Sequence, residues 1–142
     1  MRQINTMGLN LIKSFEGFRA KSYQDIGGVW TIGYGRTVGV DAATPPISEQ
    51  EAEDFLRDDI AQAEGQVMRL AHVPLTDNQY AALVSLTYNV GTLPLMKTLG
   101  DRLHALDYTG AADEFCKWSY AGGKLSSGLI KRRIAERELF LT

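Results

Sequence analysis

The sequence predicts an α+β fold: a small N-terminal β-hairpin lobe joined by a long helix to a larger helical lobe, with a cleft between them. Three observations carry this reading. Strand-like text is confined to the stretch around Gly27-Gly28. A capping signal at Ser48 opens an apolar repeat of helical period that runs to Leu70. Beyond Thr76 the apolar residues recur at helical spacing, and no later stretch reads as strand. The single domain of 1–142 divides into a first helix with the β lobe (1–46), a connecting helix (47–72) and a helical lobe (73–142).

The elements follow in chain order. Thr6 to Phe15 places Leu9, Leu11, Ile12 and Phe15 on a short helix, with Thr6 as its N-cap and Gly17 as its stop. Ser22 to Ile26 and Val29 to Tyr34 flank Gly27-Gly28 as a hairpin, and Arg36 to Val40 offers a third strand. Asp41 to Pro46 is a connection. Ser48 and Glu51 form a capping box, with Ile47 and Ala52 as a staple, and Ala52, Phe55, Leu56, Ile60, Ala63, Val67 and Leu70 define an amphipathic helix of about six turns. Thr76 caps a helix carrying Tyr80, Leu83, Val84, Thr87 and Tyr88 that ends near Asn89-Val90-Gly91. Residues 93–106 and 109–119 read as two more helices, the second capped by Thr109. The Gly/Ser-rich stretch 121–128 leads into a last helix from about Ser127 to Phe140.

Composition excludes several classes. The 142 residues are 44% hydrophobic and 23% charged, with 15 basic and 17 acidic side chains for a net charge of −2. Chains of this length bury about 70% of their unfolded surface, enough for a core that needs no disulfide or metal. Disorder, a membrane span and a dedicated nucleic-acid surface are disfavoured, and the first twelve residues do not read as a secretory signal. Cys116 is the single cysteine and reads as a small core residue. Charge is uneven: residues 41–65 hold eight acids against Arg57, whereas 1–40 and 113–142 are mildly basic. The acidic excess reads as a solvated helix face, and so does the basic cluster Lys131, Arg132, Arg133 and Arg137. Tyr88 and Trp118 read as core aromatics. His72 and His104 lack partners at metal-ligand spacing, and Gly33 to Gly39 misses a dinucleotide loop by one position. Neither cofactor nor metal is expected.

The candidate chemistry lies where the first helix meets the hairpin. Glu16 falls in the last helical turn, where crowded carbonyls disfavour an ionised carboxylate, the condition a general acid requires; Phe15 and Phe18 add desolvation. Asp25 sits beside Gln24 on the polar strand near the turn, where a carboxylate suits the setting. Two carboxyls in contrasting environments are the pattern of glycosidic bond hydrolysis.

Glu16, Asp25 and Thr31 stand within Ser14-Phe15-Glu16-Gly17 and Trp30-Thr31-Ile32-Gly33-Tyr34-Gly35. This text resembles the catalytic signature of the phage-type lysozymes, or endolysins, of glycoside hydrolase family 24. The resemblance continues through Gln79 to Leu86, Asn89-Val90-Gly91, and Gly128 to Arg133 with Glu136 and Phe140. It implies a lysozyme-like fold and an inverting muramidase that hydrolyses the β-1,4 bond between N-acetylmuramic acid and N-acetylglucosamine. On that resemblance Glu16 protonates the leaving oxygen, Asp25 stabilises the anomeric carbon and activates water, and Thr31 positions the water. Gln79 and Asn89 are candidate sugar contacts. The alternatives are a non-catalytic peptidoglycan-binding relic of the fold and a secreted antibacterial effector. The expected partner is peptidoglycan, with no nucleic acid or membrane insertion, acting as a monomer. The expected route is accumulation in the host cytoplasm and release, through a separate holin, to the cell wall in the periplasm.

Two local expectations follow. A two-residue turn at Gly27-Gly28 pairs Asp25 with Trp30 and Gln24 with Thr31, which puts Asp25 and Thr31 on opposite faces. A shared role therefore requires a three-residue loop or a bulge, with Gly27 or Gly28 at positive φ. Where the family often has His after Gly-Tyr-Gly, this chain has Arg36, which is expected to hold an acid of the long helix.

Overall fold

The computed structural model describes residues 2–142. They form two compact units, Ile12–Ala61 and the remainder, here the hairpin unit and the helical unit.

Helix α1 (Thr6–Glu16) already includes the predicted cap, Thr6, as its first residue. Asn5 caps it instead, its Oδ1 accepting the Gly8 N–H at 2.9 Å. Its end is where the sequence placed it: Gly17 adopts φ +72° and returns its N–H to the Lys13 carbonyl at 2.9 Å. Strands β1 (Arg19–Gln24) and β2 (Trp30–Gly33) pair antiparallel, with Tyr23 opposite Thr31 and Gln24 opposite Trp30. The third strand predicted over Arg36–Val40 is a single antiparallel bridge between Ile32 and Arg36. Gly33 and Gly35, at φ +66° and +103°, reverse the chain tightly, and a turn closing Val40 onto Thr37 ends the pairing.

Helix α2 (Glu49–Leu70) has the predicted six turns. Both halves of its capping box form, Glu51 N–H to Ser48 Oγ and Ser48 N–H to Glu51 Oε1, each at 3.1 Å. Ala52, Leu56, Ile60, Ala63 and Val67 are buried along one stripe. Its polar side is not only solvated: Glu53 pairs with Lys13, Asp59 pairs with Arg36, and buried Glu64 accepts the Ile4 N–H at 2.5 Å. The buried side chains of the hairpin unit include Ile12, Ile32, Tyr34, Leu56 and Ile60.

In the helical unit, α3 (Asp77–Val90) is buried continuously from Tyr80 to Thr87 and packs on α7 (Ser127–Phe140). Gly8 lets the start of α1 approach α3, since a Cβ there would lie 2.6 Å from Ala81 Cβ. The helix predicted over 93–106 is two pieces, α4 (Leu93–Met96) and α5 (Thr98–His104), broken at Lys97. Gly100 makes this corner possible, because a Cβ there would meet the Leu95 carbonyl at 1.8 Å. The helix predicted over 109–119 is α6 (Tyr108–Glu114) followed by a 3-10 turn over Phe115–Lys117. Its cap is Asp107 rather than Thr109, with the Gly110 N–H donating to Asp107 Oδ1 at 2.9 Å.

A second hairpin occupies the stretch read as a Gly/Ser-rich connection. It comprises β3 (Tyr120–Ala121) and β4 (Lys124–Leu125), turned by Gly122 and Gly123 at φ +58° and +78°. Two-residue strands are too short to show alternation, so only the Gly-Gly turn signals them. Ser126 then caps α7.

Three burial expectations are also corrected. Arg132, Arg133 and Glu136 are buried, because they lie on the same stripe of α7 as Leu139 and Phe140. Cys116 is exposed, in the 3-10 turn whose inner position is taken by Phe115. Tyr88 and Trp118 are half-buried. Among the described residues no helix is long and apolar enough to cross a membrane.

Candidate active site

The three predicted catalytic side chains all belong to the hairpin unit. Glu16 is half-buried at the last residue of α1, and the left-handed Gly17 turns the chain from helix to strand directly behind it. Phe18 packs on Tyr34 with ring centroids 5.7 Å apart, whereas Phe15 is exposed. Lys13, one turn before Gly17, lies over the Tyr34 ring at 5.6 Å and pairs with Glu53 of α2, and the Tyr34 hydroxyl donates to Glu49 Oε1 at 3.2 Å. The Lys13 hydrogen bond holds the Glu53 carboxyl below its ordinary range. Burial, helped by Glu49, pushes the Tyr34 phenol up. This small network ties the end of α1 to the segment after β2 and to the start of α2.

Asp25 opens the hairpin loop. Its N–H donates to the Val29 carbonyl at 2.9 Å, and its carbonyl accepts the Gly28 N–H at 2.9 Å. The loop is therefore the three residues Ile26-Gly27-Gly28, with Gly28 at φ +81°, as the register argument required. The Val29 N–H turns to Asp25 Oδ1 at 2.8 Å, so one carboxylate oxygen is fixed by the backbone. The shift places Asp25 opposite Val29 and Tyr23 opposite Thr31. Asp25 and Thr31 thus share a face, Asp25 exposed and Thr31 buried. The Thr31 hydroxyl donates to the Val29 carbonyl at 3.0 Å, leaving its oxygen lone pairs as acceptors.

Arg36 finds the expected acid: its Nη1 lies 2.8 Å from Asp59 Oδ1, and its guanidinium stacks 4.8 Å from the Phe55 ring centre. Burial raises the Asp59 carboxyl above its ordinary value, and Arg36 recovers only part of that shift. Beside this pair is a cavity of about 300 Å³ whose walls include Ile32, Val40, Ile47 and Phe55. None of Glu16, Asp25 or Thr31 lines it.

Gln79 and Asn89 belong to the helical unit, and each has a partner there. Gln79 Oε1 accepts the Thr76 N–H at 2.9 Å, completing the capping box of α3. Asn89 Oδ1 accepts from Arg133 Nη2. Arg133 also donates from Nη1 to Glu136 Oε1 at 2.9 Å, and the Ser85 hydroxyl donates to Glu136 Oε2 at 2.5 Å. Sequence reasoning missed this buried network. The spacing was visible, since Arg132 and Arg133 stand four and three residues before Glu136, but the same spacing equally describes exposed ion pairs on a solvated face.

Residues 13–136 match the phage lysozyme family. The endolysin of Acyrthosiphon pisum secondary endosymbiont phage 1 is 47% identical, over 96% of this chain and 97% of that protein. The endolysin of Bacillus phage B103 is 46% identical over 98% of this chain, which spans 54% of that longer protein. Among solved structures, the L86M mutant of P22 lysozyme superposes with a TM-score of 0.90 at 36% identity, covering 100% of both chains. The family match, a relative matched over nearly its whole length and the shared fold agree: the chain belongs to the phage lysozyme family, a family of glycoside hydrolases that cleave peptidoglycan.

Proposed function

We propose that this muramidase breaks the β-1,4 bond between N-acetylmuramic acid and N-acetylglucosamine with Glu16 as general acid, Asp25 as base and Thr31 as water-positioning residue. The observation that carries the assignment is the three-residue hairpin loop, whose register gives Asp25 and Thr31 a common face. Glu16 donates its proton to the glycosidic oxygen as the C1–O bond breaks toward that oxygen. Asp25 faces the positive charge growing at C1 and takes a proton from the attacking water. Because the Thr31 proton is committed to the Val29 carbonyl, Thr31 Oγ1 accepts one water hydrogen and leaves the other for Asp25. Attack from the far side inverts the anomeric centre, and proton exchange with solvent resets both carboxyls.

Gln79 and Asn89, with their carbonyl oxygens engaged, would meet sugar through their amide nitrogens. The chain is further proposed to act as a monomer and to reach the wall through a separate holin, which lysis timing with and without a co-expressed holin tests.

The decisive experiment is clearing of outer-membrane-permeabilised bacteria. Glu16→Gln abolishes clearing while circular dichroism and glycan binding persist; clearing at the wild-type rate refutes the assignment. Early NMR spectra of the released reducing ends show the α anomer first, whereas the β anomer, or 1,6-anhydro products, overturns the inverting hydrolysis.

A further inference from the structure

The buried network of the helical unit fixes what Asn89 can recognise. An asparagine amide has one acceptor end and one donor end, and an arginine side chain carries donors only. Arg133 is fully buried and its Nη2 meets Asn89 Oδ1, so the amide of Asn89 cannot turn around without setting donor against donor. Arg133 in turn cannot swing away. Its Nη1 is held by Glu136 Oε1 at 2.9 Å, and Glu136 is held at Oε2 by the Ser85 hydroxyl at 2.5 Å. Every member of this relay except Asn89 is buried, and Asn89, one residue inside the C-terminal end of α3, is exposed.

We infer that Arg133 is a specificity-positioning residue that presents Asn89 as an obligate hydrogen-bond donor, so that Asn89 reads an acceptor-only group of the glycan, the acetamido carbonyl oxygen. The inference rests on the proposed sugar contact of Asn89 and supplies its polarity. A hydroxyl can donate as well as accept, so an amide free to flip would accept either group; an amide fixed by Arg133 favours the carbonyl. Ser85 and Glu136 act only through Arg133 and never touch substrate.

Asn89→Asp separates structure from recognition. The new carboxylate keeps an oxygen for Arg133 and the same shape, but it replaces the outward donor with an acceptor. Steady-state kinetics on purified peptidoglycan show KM raised about tenfold with kcat nearly unchanged and the thermal midpoint held. On chemically de-N-acetylated peptidoglycan the same substitution changes KM much less. Asn89→Ala raises KM as well, and Arg133→Lys, which keeps the charge but not the forked geometry, raises KM without adding to the effect of Asn89→Ala in the double variant. If Arg133→Lys does not fold, the two Asn89 variants decide the matter.

A rise in KM for Asn89→Ala but none for Asn89→Asp overturns the donor polarity and leaves the sugar contact standing. An equal Asn89→Asp effect on both substrates overturns the acetamido assignment. Full additivity of Asn89→Ala and Arg133→Lys overturns the positioning role of Arg133. If neither Asn89 variant moves KM while Glu16→Gln still abolishes lysis, the Asn89 contact itself falls and the catalytic assignment survives.

Discussion

Thr31 is a buried polar side chain whose hydroxyl proton is spent within the hairpin, on the Val29 carbonyl two residues away. Such a group is useful to a reaction only as an acceptor, and removing it leaves the local packing nearly intact. Thr31→Val therefore separates the two roles. Losing one intramolecular hydrogen bond costs about 1 kcal/mol of stability, whereas losing the acceptor that orients water lowers lysis by about tenfold to a hundredfold. Thr31→Ser, which restores the oxygen, recovers most of the rate. Urea melts and turbidity rates on the same preparations check both halves, and a Thr31→Val enzyme of wild-type rate removes Thr31 from the mechanism.

Between elements, the Arg36–Asp59 pair ties the segment after β2 to the middle of α2. Arg36→Ala strips Asp59 of its cation and Phe55 of its stacked guanidinium, a loss of about 1–3 kcal/mol at neutral pH. The sign of its pH dependence follows from Asp59. Its carboxyl is raised by burial above the ordinary 3.8, and without Arg36 it rises further, so the variant gains stability by protonation as pH falls through that raised range. The deficit against wild type is thus full near pH 7 and narrows in acid; urea melts at both ends that show a constant deficit contradict this account. Glu53 works in the opposite sense. Lowered by Lys13, it contributes stability that is complete above its ordinary 4.5 and lost as pH falls through the lowered value. The pairing of Arg36 with an acid of α2 was legible in the sequence, because one strongly acidic helix follows one basic hairpin. The termini of α1 and α6 were legible only to within a residue or two, since Asn5 and Thr6, or Asp107 and Thr109, are chemically competent caps and local text does not rank them.

At the scale of the whole chain, the α3–α7 packing encloses two arginines and one glutamate. Burial raises the Glu136 carboxyl while Arg133, Ser85 and Arg132 pull it down, and burial likewise lowers Arg133. Glu136→Gln leaves Arg133 buried without its counterion and destabilises the protein by about 3–5 kcal/mol near pH 7. As pH falls through the raised range of Glu136 the wild type gains stability by taking up a proton that the variant cannot bind, so the difference widens. Thermal melts across pH read both features, and a Glu136→Gln protein as stable as wild type at pH 7 removes the cluster from the energetics.

The sequence by itself determined the α+β class, the long capped helix, the stop at Gly17, the family and the catalytic text. It also narrowed the hairpin register, because a shared role for Asp25 and Thr31 would require a three-residue loop or a bulge and the glycines permit either. These are matters of periodicity, capping and turn chemistry, each decided within a few residues. Only the tertiary structure decided that Arg132, Arg133 and Glu136 are buried and that Asn89 answers to Arg133. The contacts responsible join positions far apart in the chain, 51 residues for Ser85 with Glu136 and 44 for Arg133 with Asn89. A charged side chain carries no local mark of its burial: that is set by which helix packs across it.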